Sequence, residues 1–295
     1  MLSLFYRFLV FLSRVVGPWV FETIAQGIAA GYFFLSPRRV TTSVRFYQAL
    51  FPQRRRAHHL WCTWRQYQNF TSVYLDRFLL NEVRGITFAS SGWENLENAL
   101  DQNTGGIILM SHLGNWEIAA QVMKRKREQI RLILFMGMRA KAELERIQKE
   151  DLQKRGIRIV AAEKEWGTPF DLLEGLRFIQ SGGLVSMTGD KIWNPGQRVV
   201  AVSFLGHEVY LPETPHLLAM LSGAPLFLFF SCRTGNRRYH NSLSAPIYIE
   251  KASRRNRTEA VRRSAQSYAD LLEQNLREHP LEWYHFEQFL GPRLK

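Results

Sequence analysis

Residues 109–120 read LMSHLGNWEIAA, which places His112 five positions before Glu117. These residue types can do acid–base chemistry. A neutral imidazole, with an ordinary pKa of about 6.5, takes a proton from a hydroxyl if its other ring nitrogen is held in the right tautomer. A carboxylate accepting from that second nitrogen fixes the tautomer and stabilises the imidazolium that forms. No protein nucleophile accompanies the pair. The chain has no GxSxG elbow, and Ser111, adjacent to His112, belongs on the opposite face of a strand. The hydroxyl to be activated is therefore the substrate's own. The same two residues also fit a structural role, as a hydrogen-bonded histidine beside a turn and a glutamate favoured by a helix dipole.

The spacing dictates how such a pair must be positioned. Two side chains five residues apart on a helix are separated by a rotation of about 500° and do not share a face. If His112 instead ends a strand over Gly106 to Ser111, Gly114 permits a tight turn. Asn115 can then cap the next helix, whose first turn contains Glu117. In an open parallel α/β sheet, ligands bind at this end of the strands.

The surrounding pattern supplies such a sheet. Strands are expected at Gly85 to Ala89, Gly106 to Ser111, Arg131 to Met136, Ile157 to Ala161, Leu184 to Met187, Val199 to Phe204, Leu226 to Ser231 and Pro246 to Ile249. Most are continuous apolar runs without alternation, which suits strands covered on both faces. Helices are expected at 57–82, 93–103, 115–128, 139–155, 168–181, 213–222 and 258–278. The helix at 168 starts with Thr168 as N-cap, Pro169 at the first position and Asp171 three residues after the cap, and Gly223 is placed to end the helix before it. This βαβα order predicts one α/β domain with a mainly parallel sheet flanked by helices.

A net charge of +13 over 295 residues implies an anionic partner: nucleic acid, an acidic protein or an anionic membrane surface. No RNP, KH or helix-turn-helix signature supports nucleic acid. Cys62 and Cys232 have no CxxC neighbour and no histidine at zinc-ligand spacing, so neither a metal nor a redox pair is expected.

The first residues narrow the choice of partner. Arg7 and Arg14 share a helical face, leaving Leu2, Leu4, Phe5, Phe8, Leu9, Phe11 and Leu12 for the rest of the surface. From Val15 to Leu35 the chain is mostly apolar and long enough to span a bilayer, but Pro18, Glu22 and Gln26 interrupt it. Arginines flank both ends, so the charge bias that orients a span is missing. Residues 1–40 are therefore expected to form an embedded or interfacial anchor rather than a span, followed by a catalytic domain over 41–295. A cleavable signal peptide fits less well, because the apolar run is long and no secreted-type cysteine framework follows.

With these residues in view, HLGNWE resembles the HxxxxD/E signature of lysophospholipid acyltransferases, in the glutamate form of the bacterial late acyltransferases of lipid A biosynthesis. The approach GWENLENALDQNTGGIILMSHLGNWE and the later segment VSFLGHEVYLPETPHLLAMLSGAPLFLFF, following GD, are similar to the same family, over about residues 5–290. The resemblance implies transfer of a fatty acyl group from a carrier thioester, acyl carrier protein or CoA, to a hydroxyl of a membrane-bound acceptor, without metal or other cofactor. It implies His112 as general base, Glu117 as its orienting partner, and substrate-binding roles for Asp190 and Arg139; Asn115, within the motif, and Lys191, next to Asp190, complete the candidate substrate-binding set. It also implies a position at the cytoplasmic face of a bacterial inner membrane, with an anionic lipid acceptor and no nucleic acid. Three departures qualify the match. FMGMRAKAE around Arg139 is not the family's usual pattern, Lys191 stands where those enzymes commonly carry another polar residue, and the tail PLEWYHFEQF only partly matches their tryptophan-rich ending. A phospholipid or other glycolipid acceptor stays open, as does a non-enzymatic nucleic-acid-binding role.

Overall fold

The computed structural model describes residues 11, 15–82, 86–116, 118, 122–123, 126–127, 129–137, 158–162, 169–193, 196–250, 253 and 255–294. The helix expected over 139–155 lies outside these residues, and all that follows concerns the described ones.

The helices are α1 (Pro18–Leu35), α2 (Pro37–Leu50), α3 (Arg56–Glu82), α4 (Trp93–Asp101), α5 (Pro169–Gln180), α6 (Thr214–Ser222) and α7 (Arg257–Glu278). The strands are β1 (Thr87–Ser91), β2 (Gly106–Met110), β3 (Leu132–Gly137), β4 (Arg158–Ala162), β5 (Leu184–Thr188), β6 (Val199–Phe204), β7 (His207–Pro212), β8 (Leu226–Gly235) and β9 (Arg238–Leu243). Seven strands form one sheet in the order β1-β9-β8-β2-β5-β3-β4. All its pairings are parallel except β8 with β9. β2 is central and buried at every residue, with β8 and β5 on either side, which is why GIILM is apolar without alternation. Ile107 and Leu109 pack on one face with Val185, Met187, Leu226 and Leu228, against α6 and α7. Ile108 and Met110 pack on the other with Leu184, Phe227 and Phe229, against α4.

Three expectations are corrected. β6 does not join the main sheet but forms a separate hairpin with β7, closed by Leu205 and Gly206, both at positive φ, as a two-residue turn of this hand requires. Neither β7 nor β9 was expected, because HEVYLP and RYHNSL are not continuous apolar runs; β9 alternates buried and more exposed residues. The segment Pro246 to Ile249 is no strand. Pro246 lacks an N–H, and pairing is confined to Ile247, which exchanges both backbone hydrogen bonds with Leu226. The helix expected from 115 is helical at Trp116, Ile118, Val122, Met123 and Lys126, with Ile118, Val122 and Met123 buried.

α2 was also unanticipated. Its buried residues Ser43, Phe46, Tyr47 and Leu50 recur at helical spacing and pack under the C-terminal segment, where Phe46 stacks on Trp283 at 5.2 Å. α1 packs on α3, with Phe33 edge-on to Trp64 and Tyr67. Its outer surface leaves Trp19, Phe34 and Leu35 exposed at 61%, 73% and 84%. No helix among the described residues is long and apolar enough to cross a membrane.

Candidate active site

β2 and β5 run parallel, in a register that pairs Met110 with Thr188. Two residues further along each strand, the same register brings His112 beside Asp190. Gly189 continues the ladder by donating its N–H to the Met110 carbonyl at 2.8 Å. A side chain at 189 would put its Cβ 2.7 Å from the Tyr268 ring, so α7 can pack here only against glycine.

Asp190 is fully buried and directs both oxygens at one residue. Oδ2 accepts the His112 backbone N–H at 2.6 Å, and Oδ1 lies 2.9 Å from His112 Nδ1. Burial alone would raise the pKa of this carboxyl. The His112 charge and the two hydrogen bonds from His112 outweigh burial and hold it below the ordinary value, so the group is ionised. A carboxylate only accepts, so Nδ1 carries the proton and Nε2 of the neutral ring presents its lone pair. Nε2 has no hydrogen-bond partner among the described residues, and the side chain is 27% exposed. The arrangement is that of an imidazole set up to take a proton.

The loop after His112 is held from two sides. Ser111 is buried and its hydroxyl accepts the Leu113 N–H at 3.1 Å, so it serves the turn. Gly114, at φ +75°, donates to the Glu282 carbonyl at 3.0 Å, and Asn115 donates to the Ser231 carbonyl at 2.8 Å. The buried Asn115 side chain faces the Tyr239 hydroxyl, which donates to Asp76 Oδ2 at 2.5 Å. Asp76 Oδ2 lies 3.4 Å from Arg233 Nε, and both Glu282 oxygens accept the Arg233 N–H, at 2.8 and 3.0 Å. Burial raises the Glu282 pKa to about 7, with the Arg233 contacts opposing the shift. Lys191, next to Asp190, lies 3.3 Å from Glu287 Oε2 and 4.9 Å from the Trp193 ring centre.

Of the residues singled out from sequence, the structure thus brings His112 and Asp190 into direct contact and sets Lys191 and Asn115 beside them. Glu117 and Arg139 lie outside the described residues. Sequence reasoning missed His285, whose ring centre is 5.1 Å from that of His112. The density of aromatics around it was visible, but no spacing ties residue 285 to residue 112. The Tyr284 N–H donates to the His112 carbonyl at 2.7 Å, and Leu113 bridges to Trp283. Among the described residues no cluster of His, Cys, Asp and Glu could hold a metal ion, and both cysteines are free and buried.

No curated protein is matched. The family model of the bacterial lipid A biosynthesis acyltransferases matches residues 5–290, and the chain belongs to that family of acyltransferases.

Proposed function

We propose that this acyltransferase moves a fatty acyl group from the thioester of acyl carrier protein to a hydroxyl of a lipid A-type precursor, at the cytoplasmic face of the bacterial inner membrane. The observation that carries this reading is the buried, ionised Asp190 fixing Nδ1 of His112. Nε2 of His112 takes the acceptor's hydroxyl proton as that oxygen attacks the thioester carbonyl. The tetrahedral intermediate collapses with cleavage of the C–S bond, the new ester remains on the lipid, and the proton leaves with the carrier's thiol. General-base assistance of this kind is worth roughly 10² to 10⁴ in rate. The orienting contact on Nδ1, which the resemblance gives to Glu117, is made here by Asp190, and we assign Glu117 to the same site as a further carboxylate, with Arg139 and Lys191 assigned to the anionic groups of the substrates. Asn115, whose buried side chain lies in the loop after His112, is assigned to substrate binding.

The exposed aromatic and aliphatic side chains of α1 suit an interfacial anchor, with aromatic rings at the level of the lipid headgroups. The net charge of +13 would attract both an acidic carrier protein and anionic lipid, more in rate of encounter than in final affinity.

The test is mass spectrometry of total membrane lipids from cells lacking the protein, complemented with wild type or His112→Ala at equal membrane-bound level. One lipid species gaining an acyl mass with wild type alone supports the reading and identifies the acceptor, including a phospholipid if that is what gains the mass. Equal profiles, or acylation by His112→Ala, would remove His112 as the base.

A further inference from the structure

We infer that the segment from Trp283 to Phe289 is a working wall of the catalytic site and that His285 is a positioning residue for His112. The inference rests on the reading of His112 as the general base.

The wall touches His112 and the residues that follow each member of the pair. Its backbone holds the His112 carbonyl through Tyr284 and bridges Leu113 through Trp283. Glu287 pairs with Lys191, next to Asp190. His285 itself meets the His112 ring at 78°, edge to face. Behind it the packing is aromatic: Trp283 lies nearly parallel at 5.7 Å, and Phe289 is at 5.2 Å. Trp283 is in turn fully buried between Phe46 and Phe204. The segment is anchored from the N-terminal helices by Tyr47, which donates to the Pro280 carbonyl at 3.0 Å, and by Gln66, which donates to that of Trp283. Asp190 fixes one edge of the imidazole, and the His285 ring restrains it from another direction. With both in place the base has little freedom left.

A ring of this kind must also be neutral. The groups facing it are His112, Asp190 and Lys191 from the neighbouring loops and the Glu287 backbone from its own segment. Burial, helped by the His112 charge, lowers its pKa to about 4. Its Nδ1 lies 3.3 Å from the Glu287 carbonyl, an acceptor, so Nδ1 carries the single proton. A fixed positive charge at this position would lower the proton affinity of His112, and a void would free its ring.

Three variants of the full-length protein separate these effects: His285→Ala, His285→Phe and His285→Lys. Transfer is measured with lauroyl-acyl carrier protein as donor and an inner-membrane lipid extract as acceptor, below the lowest unfolding temperature and per folded molecule. The His112 pKa is read without substrate, from NMR titration of ¹⁵N-histidine-labelled protein in detergent, the signal being assigned by its loss in His112→Ala. The expected result for His285→Ala is a kcat about tenfold lower with KM within about twofold, since small misplacement of a catalytic group costs up to about 10² in rate. His285→Phe, which refills the space with a neutral ring, recovers most of that loss. In His285→Lys, over the pH range in which the buried amine keeps its proton, the His112 signal and the acid limb of kcat/KM move to lower pH. If Ala and Phe turn over alike, the positioning role is wrong even though His112→Ala is inactive. If His112→Ala turns over normally, the functional reading falls instead. Should Lys fail to fold, the kcat difference between Ala and Phe decides.

Discussion

A buried carboxylate that spends both oxygens on one histidine determines which nitrogen of that ring can act. Asp190→Asn keeps the size of the side chain but replaces an acceptor-only group with one that can also donate, so the Nδ1–H tautomer of His112 is no longer enforced. The expected loss in kcat is about 10² or more with the fold retained, measured as transfer rate beside thermal unfolding. The sign of the pH effect follows from the lowered pKa of Asp190. Its contribution to stability is present above the ordinary carboxylate range and is lost as pH falls through its own value. At this scale the sequence was legible in His112, whose neighbours carry a specific pattern. It was less so in Asp190, which is identifiable as a residue of interest but not as the partner of His112. The two lie 78 positions apart, and only the β2–β5 register brings them together.

Among the elements, the turn between β2 and the following helix sets where His112 stands. Gly114 occupies a left-handed conformation, and a Cβ there would lie 2.3 Å from the Ser231 carbonyl oxygen. Gly114→Ala combines backbone strain with a collision against backbone that cannot give way. A loss of about 1–3 kcal/mol from the strain alone is expected in thermal or denaturant unfolding, with activity falling further than stability. Unchanged unfolding and turnover would show that the loop tolerates another path. The central parallel strands were readable because burial on both faces demands uninterrupted apolar residues. β7 and β9 were not, because the eye for apolar runs passes over strands with polar positions. The mistaken strand at 246–249 illustrates the converse: apolar residues near a proline made a single bridge, not a ladder.

Over the whole molecule, the proposed interfacial role of α1 predicts that its exposed apolar side chains, helped by the net charge of +13, bind lipid. Replacing Trp19, Phe34 and Leu35 with serine should cut cosedimentation with mixed zwitterionic and anionic phospholipid vesicles by at least tenfold. Each large apolar side chain is worth about 1.5–3 kcal/mol when fully buried, and about 1.4 kcal/mol is a factor of ten. Undiminished sedimentation would assign attachment to another surface. That α1 is helical and carries exposed apolar side chains was legible in composition; its packing onto α3, and through α2 and α3 onto the segment that walls the site, was not. Such contacts join the two ends of the sequence and leave no local pattern.

That closure has a consequence for the order of events during synthesis. The ribosome delivers α1, with its exposed aromatic face, before any strand of the sheet exists, and delivers residues 283–289 after every other part of the site. If α1 is the proposed interfacial anchor, a nascent chain meets lipid early and acquires a fully walled His112 only late, so that the membrane is reached before catalysis begins.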